Sequence, residues 1–310
     1  MRKMGNKGFA ISGIVYSILI LFVLLVVATL AILSGRKVVL DRTKKDIIEK
    51  MDEQDNERLD VDDYTKKGLI IHYDGRKNTR SGTYNSSANK WENLVSPTGQ
   101  YDGTLVNSPT WNGGDGLLFN GSNYVDMGTL NISGSVTFEV VVKYTNNRVT
   151  STLIGNLNQG GYSLDHQYNP SIDWNYEAQY ANHTLSFYNS ELRSTQSISS
   201  ANETKTQITC ENGTTKEDYI YSLTGVINKE QKKLYIYENG MQFESILASL
   251  NLNSSTSILS LGAKVVGSAK GNYLRGKIYS VRVYNRALES YEVYKNYSID
   301  RSRFNMIETC

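Results

Sequence analysis

The side chains that most often do chemistry are thinly spread along this chain. The three histidines, His72, His166 and His183, are scattered and form no H-E-x-x-H pair for a metal. No G-x-S-x-G elbow presents a serine nucleophile, and no glycine-rich loop precedes a helix to cradle phosphate. Two cysteines, Cys210 and Cys310, are too few for a disulfide framework or a thiolate metal centre; they pair once or stay free. Glu53-Gln54-Asp55-Asn56-Glu57 places two glutamates four apart. That spacing suits acid–base work only when both lie on one face of a strand. Here the segment is wholly polar and reads as helical, which argues against the role.

What remains is chemistry of recognition. Asp165 to Tyr180 contains Tyr168, Asp173, Trp174, Asn175, Tyr176 and Tyr180. Aromatic faces stack on the apolar face of a sugar ring, while amides and carboxylates hold its hydroxyls. The competing reading is that these rings simply cover the edge of a sheet.

The elements that must position these residues follow from composition and period. The 310 residues have room for one large domain or two small ones, and 39% of them are hydrophobic, enough for a core. With 33 basic against 31 acidic residues, no field is built to hold nucleic acid. Tyrosine is frequent, at 22, and proline scarce, at 3, which favours pleated, half-buried surfaces.

Phe9 to Gly35 carries no charge and is dense in Ile, Leu and Val. A membrane span needs roughly 20 apolar residues, so 9–35 is expected to cross a bilayer as a helix. It is too long for the apolar stretch of a cleaved secretory signal. Arg2, Lys3 and Lys7 before it favour an inside N-terminus, whereas Arg36, Lys37, Arg42, Lys44 and Lys45 after it argue the other way. Long domains translocate largely regardless of such charge, so the downstream domain is expected outside the cell. Residues 36–67 are highly charged, with Leu40, Ile47, Ile48 and Met51 on one helical face. A helical stalk is expected there, either solvated all round or self-associating along that seam.

Lys7-Gly8-Phe9, followed at once by the apolar run, resembles a type IV prepilin leader, cut after the glycine, and implies a bacterial source. The pilin pattern has glutamate at the fifth mature position, where this chain has Gly13.

From Gly68 the period changes from helical to alternating. Gly68 to Tyr73 reads as a first strand; Gly116 to Phe119 and Asn123 to Met127 flank the turn Asn120-Gly121-Ser122, a hairpin signal. Val136, Phe138, Val140 and Val142 line one face of the strand 136–144, expected to be the core face. Lys233 to Tyr237 and Met241 to Phe243 surround Glu238-Asn239-Gly240, a second such turn, and Ser257–Ala263 and Gly276–Tyr284 supply late strands. Many short strands without interleaved helices indicate a sandwich, most economically a jelly roll. Ser290 is positioned to cap a short helix through Asn296 or slightly beyond, with Tyr291, Tyr294 and Tyr297 packed on the sandwich and an irregular tail.

Several of these segments resemble the laminin-G-like, concanavalin-type jelly rolls. They are Asp102-Gly103-Thr104-Leu105 with Trp111, Leu118 to Val125, Thr137 to Lys143, Leu234 to Gly240 and Gly276 to Leu288. The resemblance implies an all-β, concanavalin-like sandwich over 68–288, after a basic leader (1–8), the membrane helix and the stalk, and before a helix and tail (289–310). It implies binding rather than catalysis, with a glycan or an extracellular protein as partner. The lectin-like candidates are then Tyr168, Asp173, Trp174, Asn175 and Tyr176. No cofactor is required, but some related domains hold a structural calcium, for which Asp74 and Asp102 are the candidates; turn aspartates also serve backbone hydrogen bonds. The expected protein is a cell-surface binder on a single-pass anchor. The alternatives are a pilin-like subunit with a jelly-roll head and a divergent glycoside hydrolase.

Overall fold

A computed structural model describes residues 63–132, 134–145, 149–156, 162–167, 182–189, 194–199, 220–246, 258–266 and 269–306. In chain order the strands begin with β1 (Leu69–Asp74), β2 (Lys90–Trp91), β3 (Gly103–Val106), β4 (Thr110–Asn112), β5 (Gly116–Asn120) and β6 (Tyr124–Thr129). There follow β7 (Val136–Tyr144), β8 (Ser151–Gly155), β9 (Tyr162–Gln167), β10 (Asn182–Asn189), β11 (Ser194–Ser199) and β12 (Ile220–Asn228). The last are β13 (Lys233–Glu238), β14 (Met241–Ile246), β15 (Ile258–Leu261), β16 (Lys264–Val266), β17 (Ala269–Gly271) and β18 (Arg275–Tyr284), then helix α1 (Ser290–Phe304).

Two antiparallel sheets face each other. One runs β14-β13-β12-β7-β18-β5-β4, with β1 continuing the edge of β18 beyond β5; the other runs β11-β10-β9-β8-β15-β6-β3-β2. Their inner faces carry the alternating apolar residues, so Val136, Phe138, Val140 and Val142 of β7 meet Tyr162, Leu164 and Leu185 of the opposite sheet in one core. Burying each such side chain contributes about 1.5–3 kcal/mol. The expected all-β sandwich and the core face of 136–144 are therefore as read from the alternation.

The two Asn-Gly turns behave differently. Glu238 pairs with Met241, so Asn239-Gly240 is a two-residue hairpin loop, with φ of 50° and 77° as its mirror-image turn requires. At Asn120-Gly121-Ser122 only Gly121 has positive φ, and the flanking strands do not pair. β5 belongs to one sheet and β6 to the other. The expected hairpin is a corner between sheets.

α1 is longer than expected. Its N-cap is Glu289 and not the expected Ser290, which is already the first helical residue. The Glu289 backbone N–H donates to the Glu292 carboxylate, and the helix continues to Phe304 before Asn305 turns it off at φ 50°. Its buried face is polar: Glu292, Asn296 and Asp300 lie beside Val293 and Ile299. The sheet beneath explains this. Arg282 of β18, 1% exposed, forms a two-point ion pair with Asp300 (2.9 and 2.5 Å) and donates to Glu139 of β7 at 2.6 Å. Asn296 donates to the same Glu139 and to Tyr284.

Tyr64 completes this network. Its ring lies 4.0 Å beneath the Arg282 guanidinium and its hydroxyl donates to Asp300 at 2.7 Å. The Thr65 N–H donates to Asn296, and residues 64–68 are not helical. The expected stalk therefore cannot reach Lys67, because burying Tyr64 and satisfying Asn296 tie that stretch to the sandwich. The chain divides into units at Leu59/Asp60, and every described residue belongs to the second. The leader, the expected membrane helix 9–35, the stalk to residue 62 and Glu53–Glu57 lie outside the described residues. Among the described residues no helix is long and apolar enough to cross a membrane.

Candidate functional site

A cleft of about 390 Å³ opens where β1 begins and β18 ends. Four separated stretches wall it: Val95-Ser96-Pro97-Thr98 with Gln100 and Tyr101, Leu130-Asn131-Ile132, Leu69-Ile70, and Asn285. The first segment is held by one buried side chain. Asn93 accepts from the His72 N–H (2.9 Å), and its amide donates to the carbonyls of Ile70 and Gln100 (both 2.9 Å). Asp102, itself ion-paired to Arg80, accepts from the Asn93 N–H. Ser96 Oγ accepts from the Gln100 N–H at 2.8 Å.

Tyr101 sits at φ 61°, a left-handed conformation that bulky residues rarely adopt. The Tyr73 hydroxyl pins its carbonyl at 2.5 Å. Such strain persists only where the surroundings over-determine it, and it clusters at functional sites. Tyr162, on the opposite sheet, buries its hydroxyl with no hydrogen-bond partner among the described residues, and burial aided by nearby Tyr101 pushes that hydroxyl's pKa up. The side-chain amides of Gln100, Asn131 and Asn285 are exposed and make no hydrogen bond within the described protein. Among the described residues the cleft thus offers one aromatic ring, that of Tyr101, three amides without a partner, and the Ser96 and Thr98 hydroxyls.

The opposite end of the sandwich carries the residues with acid–base potential. His166 of β9 and His183 of β10 are register partners, and both are fully buried against Tyr144 of β7. His183 Nε2 lies 3.0 Å from the Tyr144 hydroxyl, and its Nδ1 lies 3.0 Å from Glu238. With Glu238 ionised, Nδ1–H donates to the carboxylate and Nε2 accepts the Tyr144 O–H. Burial holds the Tyr144 phenol well above its ordinary pKa, next to Tyr221, Glu238 and Asp165, so it stays protonated at neutral pH. That makes the chain a means of satisfying buried polar groups rather than an activated nucleophile. The spacing of the two histidines hid this cluster in the sequence, since only strand pairing brings them together.

Tyr168, Asp173, Trp174, Asn175 and Tyr176 lie outside the described residues; the segment carrying them leaves β9 at Gln167 and enters β10 at Asn182. Asp74 is buried. One of its oxygens accepts from the N–H groups of Arg76 and Lys77, and the other ion-pairs with Arg303 at 2.6 Å. Burial raises its pKa, but Arg303 outweighs burial and holds the carboxyl below the usual range. Asp102 is likewise engaged, by Arg80 and the Asn93 N–H. No group of three or more potential His, Cys, Asp or Glu ligands is gathered for a metal among the described residues.

The cleft residues were not legible as a site. Ser96-Pro97-Thr98-Gly99 reads as a turn, and nothing in its spacing points to Asn131 or Asn285.

Comparison with known proteins gives the family first. A family model described as "Concanavalin A-like lectin/glucanases superfamily" matches residues 119–294. Among solved structures, Trypanosoma rangeli sialidase in complex with sialic acid aligns with TM-score 0.50 at 13% identity, over 84% of this chain and 39% of that one. A Ruminococcus gnavus IT-sialidase CBM40 bound to α2,3-sialyllactose aligns with TM-score 0.44 at 13% identity, over 58% of this chain and 95% of that one. NanB sialidase from Streptococcus pneumoniae aligns with TM-score 0.43 at 15% identity, over 58% of this chain. The chain spans only 27% of that sialidase's length. At these identities the likeness is one of fold. No curated protein matches.

Proposed function

Because this chain belongs to the concanavalin A-like lectin/glucanases superfamily, we propose that its sandwich is a non-catalytic module that binds a glycan at a cell surface. The observation that carries the reading is the preorganised cleft beside Tyr101, with its unspent amides. Rigid frames of this kind lower the ordering cost of binding. Among the described residues the cleft's lining contains no carboxylate, so the pair that glycoside hydrolysis uses is not found there. The uncharged run 9–35 supports anchoring in a bilayer, with the domain displayed outside on the intervening stalk.

Calcium is not needed in this reading, since Asp74 and Asp102 already spend their oxygens on arginines and backbone amides. The test is a glycan array probed with the full chain in mild detergent, with calcium and with a chelator. Saturable binding to a defined glycan class in both conditions is the expected result. Trp174→Ala, compared with Gln100→Ala, separates the aromatic segment 168–180 from the cleft as the seat of binding. A blank array in both conditions would overturn the reading and leave a protein partner or a pilin-like structural role.

A further inference from the structure

Among the described residues that wall the cleft, from Leu69 and Ile70 to Asn285, none is charged. Two of the neighbouring charged side chains are committed elsewhere. Asp102 is paired to Arg80, and Arg286 to Glu292 at 2.6 Å and to the Lys67 carbonyl at 2.7 Å. From this we infer that the cleft selects neutral glycans, by ring stacking and amide–hydroxyl hydrogen bonds, and rejects sialylated or uronic-acid ends. The inference rests on the glycan-binding reading above and narrows it.

The physical argument is one of desolvation. A carboxylate entering a partly enclosed site loses water, and it must recover that cost from a cation or from several convergent N–H donors. Among the described lining residues no arginine or lysine is present to recognise a glycan carboxylate. Two backbone donors of the rim are already used: the Gln100 N–H on Ser96 and the Val95 N–H on Asn93. Neutral hydroxyls, each donor and acceptor at once, match amides that can do both. At about 390 Å³ the cleft lies toward the small end of ligand sites, which suits the terminal units of a glycan rather than a long chain.

The experiment compares neutral glycans with the same glycans capped by sialic acid or a uronic acid, using the full chain at low and at physiological salt. Expected are affinity for the neutral set that does not change with salt, and a loss of about tenfold on capping. Gln100→Ala with Asn131→Ala should weaken neutral binding by about tenfold or more. Both residues are exposed, so the fold is kept, and an unchanged urea midpoint verifies this. Asn131→Arg supplies the missing cation and should narrow the gap between capped and uncapped glycans. Salt-sensitive preference for the acidic glycans would overturn the inference while leaving glycan binding intact, as would neutral binding that the cleft variants leave unchanged. Failure to bind any glycan would overturn both.

Discussion

Two polar regions of this domain lie close to β18 and use their hydrogen-bonding groups in opposite ways. Under α1, Arg282, Glu139, Asp300, Asn296 and Tyr64 are buried and satisfy one another across four separate stretches of chain. At the cleft, Gln100, Asn131 and Asn285 are exposed and spend their amides on nothing within the described residues. The buried set is the more eye-catching chemistry, with ion pairs and, in Glu139, a perturbed carboxylate. Yet a group already paired has nothing left for a ligand, and separating it costs more than it returns. The bland set is the one with free valence. Accounting for each donor and acceptor separates structural clusters from recognition sites better than residue type does. The Tyr144–His183–Glu238 chain falls on the structural side by the same count.

The largest effect should come from breaking the buried set. Arg282→Met leaves Glu139 and Asp300 in a dry interface without their cation, and should cost about 3–5 kcal/mol. This would appear as a lower urea midpoint at unchanged m-value. A loss below about 1 kcal/mol would mean that the network is incidental to the helix's docking.

A pH-dependent effect, smaller than that at mildly acidic pH, should come from His72, which lies at the edge of that network. Burial lowers its pKa from 6.5 to about 3; Asp74 opposes the shift, while Arg282 and Arg303 reinforce it. Its Nε2 has no hydrogen-bond partner among the described residues. In the native protein the ring stays neutral while the unfolded chain takes up a proton below pH 6.5. Stability should therefore fall as pH drops from 6.5 towards 3, by up to about 1.4 kcal/mol per unit. Asp74, whose folded pKa is depressed, adds loss in the same direction only under about pH 4. His72→Gln should flatten the upper part of the slope in a pH series of urea melts. An unchanged slope would assign the proton uptake to other groups.

The smallest stability effect sharpens the contrast. Gln100→Ala, Asn131→Ala and Asn285→Ala should each shift stability by no more than about 0.5 kcal/mol, as surface changes do, while lowering glycan affinity. A thermal shift of several degrees would place these amides with the structural set and remove them from the site.

What the sequence by itself determined here is the alternation and the turn chemistry. Val136, Phe138, Val140 and Val142 had to face a core because strand side chains alternate with period two. Asn239-Gly240 had to close a tight loop because both residues accept positive φ. The same reasoning could not place Asn120-Gly121, whose corner depends on which strands β5 and β6 find as partners, a matter of long-range pairing. Nor could it see α1 to Phe304, since its buried face carries Glu292, which meets Arg286, and Asn296 and Asp300, which meet Glu139, Tyr284 and Arg282. Polarity marks a buried face as exposed when its partners come from elsewhere in the chain. Only the tertiary structure decided the cleft, because it gathers segments near residues 70, 96, 101, 131 and 285. No local spacing records a contact made between residues so far apart.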